Sequence, residues 1–223
     1  MKAVLFWDVD GTLLTTGRAG MFAFEEAVAE VTGVEADLSD LITSGLTDAE
    51  VAARVLEAAG CVPSPDVAER LLHEYERRLT DCLPRRQGHV LPGVSEALAD
   101  LHGRPDVRSL LLTGNTREGA RAKLAHYGLD RFFPDGVGGF CIDNGTRTDI
   151  ARRALPLAAG AERVYVIGDT PADIECGNAI GARTIAVASG RHTLDELAAC
   201  EPWVLLGEIP EPVRFRELLE LGE

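Results

Sequence analysis

The chain opens on an apolar run, Lys2-Ala-Val-Leu-Phe-Trp7, that stops abruptly at Asp8-Val-Asp10-Gly-Thr12. A run without polar alternation, bounded by acid and glycine, reads as a strand buried on both faces, which is the signature of a parallel sheet. Similar runs recur at Val107–Thr113, Val164–Gly168 and Thr184–Ala188, with a weaker one at Trp203–Leu206. Helical patterns fall between the later ones, at Thr116–Tyr127, Asp149–Ala159, Ala172–Ile180 and Thr193–Cys200. Strands alternating with helices of that length predict a parallel α/β sheet. Right-handed crossovers then place every strand's carboxyl end on one edge.

Between the first and second strands the pattern changes. From residue 16 to residue 87 only helical signals appear. Gly20–Val31 is one helix; Thr47-Asp-Ala-Glu50 is a capping box opening another, which Gly60 closes. Ser64-Pro65 starts a third, with Val67, Leu71, Leu72, Tyr75 and Leu79 on one face. The organisation expected is an α/β core of residues 1–15 and 88–223 with an all-helical cap of residues 16–87 inserted. Two tethers, near 15–19 and 84–91, would let the cap move as a lid.

The 22 basic and 36 acidic side chains leave a formal charge of −14. That argues against nucleic acid or an acidic membrane surface as partner. No apolar run approaches a membrane span, and the first residues lack the apolar core of a signal peptide. Five scattered cysteines with no Cys-x-x-Cys pair read as reduced thiols, so a cytoplasmic location is expected.

Ligands of open α/β sheets bind outside the carboxyl ends of the strands. There the chain carries Asp8 and Asp10, then Thr113-Gly114-Asn115, then Asp169 and Asp173 in Gly-Asp-Thr-Pro-Ala-Asp. Single strand-end aspartates are often helix caps or turn formers. Four together with a hydroxyl call for a hard cation, and Mg²⁺ fits because it takes few carboxylates and leaves room for phosphate oxygens.

These segments resemble the haloacid dehalogenase superfamily, specifically its phosphatases with a helical cap. The matching residues are Val4-Leu-Phe-Trp-Asp8-Val-Asp10-Gly-Thr12, Leu111-Leu-Thr113-Gly-Asn115 and Val166-Ile-Gly168-Asp169-Thr-Pro-Ala-Asp173, in the family's order. The resemblance implies a Rossmann-like three-layer core and a Mg²⁺-dependent phosphatase acting on a small phosphorylated metabolite, similar to phosphoglycolate phosphatases. It implies Asp8 as nucleophile, forming an aspartyl-phosphate, and Asp10 as general acid and base. The metal would be held by Asp8, the Asp10 carbonyl and Asp169, with Asp173 as a ligand or an anchor. Thr113, Gly114 and Asn115 would meet the phosphoryl oxygens. The second aspartate, Asp10, separates phosphatases from the carbon-centred dehalogenases. A phosphomutase shares every one of these residues, and a non-catalytic phosphorylation switch shares some; either is an alternative. A monomer or a homodimer is compatible with the sequence.

The family's third motif usually carries a lysine, and this chain has only two, Lys2 and Lys123, against twenty arginines. Lys2 lies at the wrong end of the sheet. Lys123, seven residues into a descending helix, is expected roughly 10 Å below the site at 1.5 Å per residue. Arg147, in Asp143-Asn-Gly-Thr-Arg147-Thr-Asp149, stands where the resemblance places the family's lysine and is expected to supply the cation, with Lys123 as the alternative. Thr47, in the cap loop Ile42–Asp48, is expected to face substrate, although a capping role would account for it too. Arg18 could meet a substrate carboxylate or be solvated. The five histidines show no metal-ligand spacing, and Val137-Gly-Gly139 reads as a tight turn.

Overall fold

The computed structural model describes residues 1–133, 136–142 and 145–222; Asp143 and Asn144 of the third-motif segment lie outside them. Six parallel strands form one sheet: β1 (Ala3–Trp7), β4 (Val107–Thr116), β5 (Gly138–Cys141), β6 (Arg163–Gly168), β7 (Arg183–Val187) and β8 (Val204–Leu206), in the order β5-β4-β1-β6-β7-β8. All five residues of the central strand β1 are buried, as an uninterrupted apolar run between two helical layers requires. One face of the sheet packs on α4 (Val94–His102), α5 (Arg117–His126) and α9 (Pro212–Leu218) around Leu5, Trp7, Tyr165 and Phe215. The other packs on α6 (Arg147–Ala154) and α7 (Pro171–Ala179) around Val4, Phe6, Leu110 and Val166.

A two-stranded antiparallel ribbon, β2 (Leu14–Thr15) with β3 (His89–Val90), joins the stems of the helical insertion. Between them run α1 (Ala19–Thr32), α2 (Asp48–Ala58) and α3 (Pro65–Cys82), which share a separate apolar cluster that includes Phe24, Val55, Leu71 and Tyr75. Phe24 and Tyr75 stack with ring centroids 4.0 Å apart.

In Val137-Gly-Gly139 the two glycines open β5 and do not form the expected turn. Gly138 and Gly139 pair with Leu111 and Leu112 at the sheet edge. A β-carbon on Gly138 would stand 2.5 Å from the Leu111 carbonyl oxygen, and one on Gly139 would stand 2.9 Å from Ile150 of α6. The glycines here serve close approach of the edge strand to its neighbours, a use that looks the same as a turn signal in sequence. The helices α4 and α9 are further additions to the sequence reading.

Candidate active site

The register of β1 dictates where the acids meet. Trp7 lies opposite Leu111 on one side and Ile167 on the other, so Asp8 follows level with the end of β6 and beside the Leu112–Thr113 stretch of β4. The Asp8 amide donates to the Ile167 carbonyl at 3.0 Å, which ties it to the strand carrying Asp169. One carboxylate oxygen each of Asp8, Asp169 and Asp173, all buried, falls within 4.8 Å of the others. Such crowding raises the proton affinity of Asp8 and Asp169. Burial first, then Asp173 and Asp10, push Asp8 up to about 7 against the pull of Arg147. Burial, Asp8 and Asp173 push Asp169 up to about 8 against the Thr12 hydroxyl and Arg147.

Backbone without β-carbons makes room for this cluster. A β-carbon on Gly11 would stand 2.5 Å from Asp169 Oδ2, and one on Gly190 only 1.8 Å from it. The Thr12 hydroxyl donates to Asp169 Oδ1 at 3.2 Å. Asp173 has both oxygens engaged. Its Oδ2 accepts from the Thr170 amide at 3.1 Å and the Thr170 hydroxyl at 2.6 Å, completing the capping box of α7, and its Oδ1 accepts from Arg147. The helix-cap role and the site role therefore coexist in one side chain. These residues fit a small divalent cation: the donors are all carboxylate oxygens, they converge, and the three of them share a single guanidinium.

Arg147, the first residue of α6, enters the cluster from beside β4. Its Nη2 donates to Asp8 Oδ1 at 3.1 Å and to Asp173 Oδ1. Burial would lower its affinity for its proton, but Asp173 and Asp8 outweigh that and hold it firmly charged.

Lys123 is also in the site, not roughly 10 Å beneath it. Its ammonium donates to Asp10 Oδ2 at 2.6 Å and to Asn115 Oδ1. A helical side chain leans toward the helix N-terminus, and the four-carbon stem of lysine recovers height that backbone rise alone leaves out. Burial works against its charge, and Asp10, Tyr75 and Asp48 restore it beyond the ordinary lysine value.

A cavity of about 580 Å³ lies between the sheet edge and the insertion. Asp8, Asp10, Gly114, Asn115, Lys123, Arg147 and Asp169 line it from the core side; Met21, Phe24, Ile42, Asp48 and Tyr75 line it from the insertion. Gly114 marks the tightest approach, since a β-carbon there would stand 2.4 Å from the Leu46 carbonyl oxygen and 2.9 Å from Arg147 Nη1. Thr113 sits just behind this lining, its hydroxyl accepting from the Asn115 side chain at 2.8 Å.

Thr47 does not face the cavity. It is 0% exposed, caps α2 by accepting from the Glu50 amide at 3.2 Å, and donates its own amide to the Glu50 carboxylate at 2.8 Å. The neighbouring Asp48 reaches the core instead, accepting from the Thr116 amide at 2.7 Å. Burial pushes its carboxyl up to about 6 despite Lys123 and that amide. Asp48 was missed because a helix-opening aspartate reads as a dipole partner. Ser189, Gly190 and Arg191, after β7, also line the cavity and carried no sequence signal. Arg18 lines it too, with left-handed backbone (φ 69°) and Nη2 donating to the Leu38 carbonyl at 3.1 Å.

Fold and site define a parallel α/β protein whose acidic strand ends face a cavity roofed by inserted helices. Residues 5–178 match the haloacid dehalogenase-like hydrolase family, and the chain belongs to it. It is 33% identical over 148 residues to a phosphoglycolate phosphatase of Synechococcus elongatus, covering 64% of this chain and 66% of that one. It is 29% identical over 220 residues to a Dickeya dadantii protein named "Probable phosphatase IndB", covering 96% and 93%. The crystal structure of CbbY from Rhodobacter sphaeroides in complex with phosphate shares the fold, at a TM-score of 0.72 and 22% identity over 92% of this chain and 93% of that one. Among the described residues no helix is long and apolar enough to cross a membrane.

Proposed function

We propose that the chain is a Mg²⁺-dependent phosphoric monoester hydrolase that takes a small phosphorylated metabolite through an aspartyl-phosphate. The observation that carries this reading is the division of labour around one cavity. Asp8 is paired with a buried cation and clustered with Asp169 and Asp173, while Asp10 points away from that cluster toward a separate cation. Each carboxylate is held by its own cation, which keeps the two apart for separate tasks, one at phosphorus and one at the leaving oxygen.

Asp8, the Asp10 backbone carbonyl and Asp169 would hold the Mg²⁺, with Asp173 anchoring Arg147 beside them. Bound there, Mg²⁺ would neutralise the cluster and the charge on the phosphoryl oxygens. Arg147 opposes the burial that raises Asp8 and orients one of its oxygens. Asn115, fixed by the Thr113 hydroxyl, braces Asp10 with Nδ2 at 2.8 Å. The Gly114 segment supplies backbone donors for the transferring group. Met21, Phe24 and Ile42 give the insertion side of the cavity an apolar wall against which a leaving group can pack. Phosphoglycolate, the substrate in the name of the Synechococcus relative, is one candidate of this class. Five free thiols support a cytoplasmic protein, acting as a monomer or homodimer.

Phosphate release from a panel of phosphorylated metabolites, with Mg²⁺ and with chelator, tests the reading. Repeated, chelator-sensitive turnover on at least one small monoester is expected. A single stoichiometric phosphorylation with no turnover would refute it in favour of a switch.

A further inference from the structure

We propose that Lys123 is the positioning residue for Asp10, fixing which carboxyl oxygen handles the proton. This rests on the reading of Asp8 as nucleophile and Asp10 as acid and base. Three side chains close a ring: Lys123 Nζ donates to Asp10 Oδ2 (2.6 Å) and to Asn115 Oδ1, and Asn115 Nδ2 donates to the same Asp10 Oδ2 (2.8 Å). The amide of Asn115 can adopt only this orientation, because a flip would set its NH₂ against the ammonium. Its Nδ2 also donates to the Thr113 hydroxyl, which anchors the ring to β4.

The exposures separate the roles of the pair. The Lys123 side chain is 6% exposed and that of Asp10 is 41% exposed, so the cation lies beneath and the carboxylate faces the cavity. The ammonium lines the cavity floor, but it is committed to Asp10 and Asn115 and not held out as a phosphate clamp. Both donors converge on Oδ2, which locks the rotation of the carboxyl group and leaves Oδ1 toward the reacting atoms. Asp48 and Tyr75 of the insertion surround the same ammonium, so its position depends on the helical roof as well as on α5.

In the first half-reaction an Asp8 oxygen attacks phosphorus and the bond from phosphorus to the leaving oxygen breaks. That oxygen keeps the electron pair and takes the proton from Asp10 Oδ1. In the second, water attacks phosphorus, gives one proton to Asp10 Oδ1, and the bond between phosphorus and the Asp8 oxygen breaks. Inorganic phosphate leaves with Asp8 ionised and Asp10 protonated, as at the start.

The test compares the parent, Asp10→Asn, Lys123→Met, Lys123→Gln and Lys123→Arg on two esters, glycerol phosphate and p-nitrophenyl phosphate. The quantity read is kcat/KM, which reports phosphorylation of Asp8. An alkoxide needs the proton to leave and p-nitrophenolate does not. Positioned proton transfer contributes typically 10²–10⁴-fold, so Lys123→Met should lose about 10²-fold on glycerol phosphate and at least about ten times less on the aryl ester. KM should stay within about threefold, and Lys123→Arg should recover part of the loss. Residual turnover of the aryl ester reports folding, and Lys123→Gln carries the comparison if the Met variant does not fold. If Asp10→Asn discriminates between the esters and the Lys123 variants lose both equally, the positioning role is overturned and the acid–base reading survives. If Asp10→Asn also loses both equally, both fall.

Discussion

Arg147→Met probes the electrostatics of the site most directly. The guanidinium is 12% exposed and bridges Asp8 and Asp173, whose side chains are 5% and 4% exposed. Solvent therefore cannot take over when it is removed, and breaking a buried pair costs about 3–5 kcal/mol because a bare charge stays behind. In a chain of this length each kcal/mol lowers Tm by about 2–4 °C, so the metal-free variant should melt about 6–20 °C below the parent at mildly alkaline pH. Protons should relieve that penalty. Asp8 already titrates near 7 with Arg147 present, and losing the guanidinium removes the main influence that lowers it. A carboxyl whose folded pKa is raised costs the fold nothing while protonated in both states. Stability is lost as pH rises from the unfolded value through the folded one. The gap between parent and variant should thus be widest above pH 8 and shrink steadily toward about pH 5. Thermal and urea denaturation of metal-free protein across that range measure it. A gap that is the same at both ends, or under about 2 °C at the alkaline end, would refute the reasoning.

Three further outcomes follow from the same geometry. Mg²⁺ should raise Tm more at about pH 8.5 than at about pH 6, because it must displace protons from Asp8 and Asp169, held near 7 and 8; equal shifts would count against them as ligands. Gly190→Ala should push Asp169 aside, since the new β-carbon would stand 1.8 Å from Oδ2. The Mg²⁺ response should then weaken about 10–100-fold in a thermal titration, the range seen when ligand support is lost, with little change in metal-free Tm. Asp48→Asn keeps the acceptor for the Thr116 amide and removes a carboxyl raised from 3.8 to about 6. The parent should lose up to about 3 kcal/mol as pH climbs from about 4 to about 6, and urea unfolding of the variant should lack that component.

The amino-acid sequence by itself determined the sheet. Apolar runs such as Ala3–Trp7 can be buried only between two layers, and strands alternating with helices leave one edge for every carboxyl end. Asp8, Asp10, Asp169 and Asp173 were legible for that reason, since strand ends are local and the crossover rule does the rest. Tertiary structure decided what reaches those ends. Lys123 joins Asp10 from 113 residues away because α5 aims a long flexible side chain back at the site. Asp48, and not Thr47, crosses from the insertion because the capping box uses up the threonine and leaves the aspartate to meet the Thr116 amide. Gly138 and Gly139 became a strand because close packing and tight turning both ask for a missing β-carbon. Local patterns record what the backbone must do. Where a flexible side chain ends depends on which distant charge it finds.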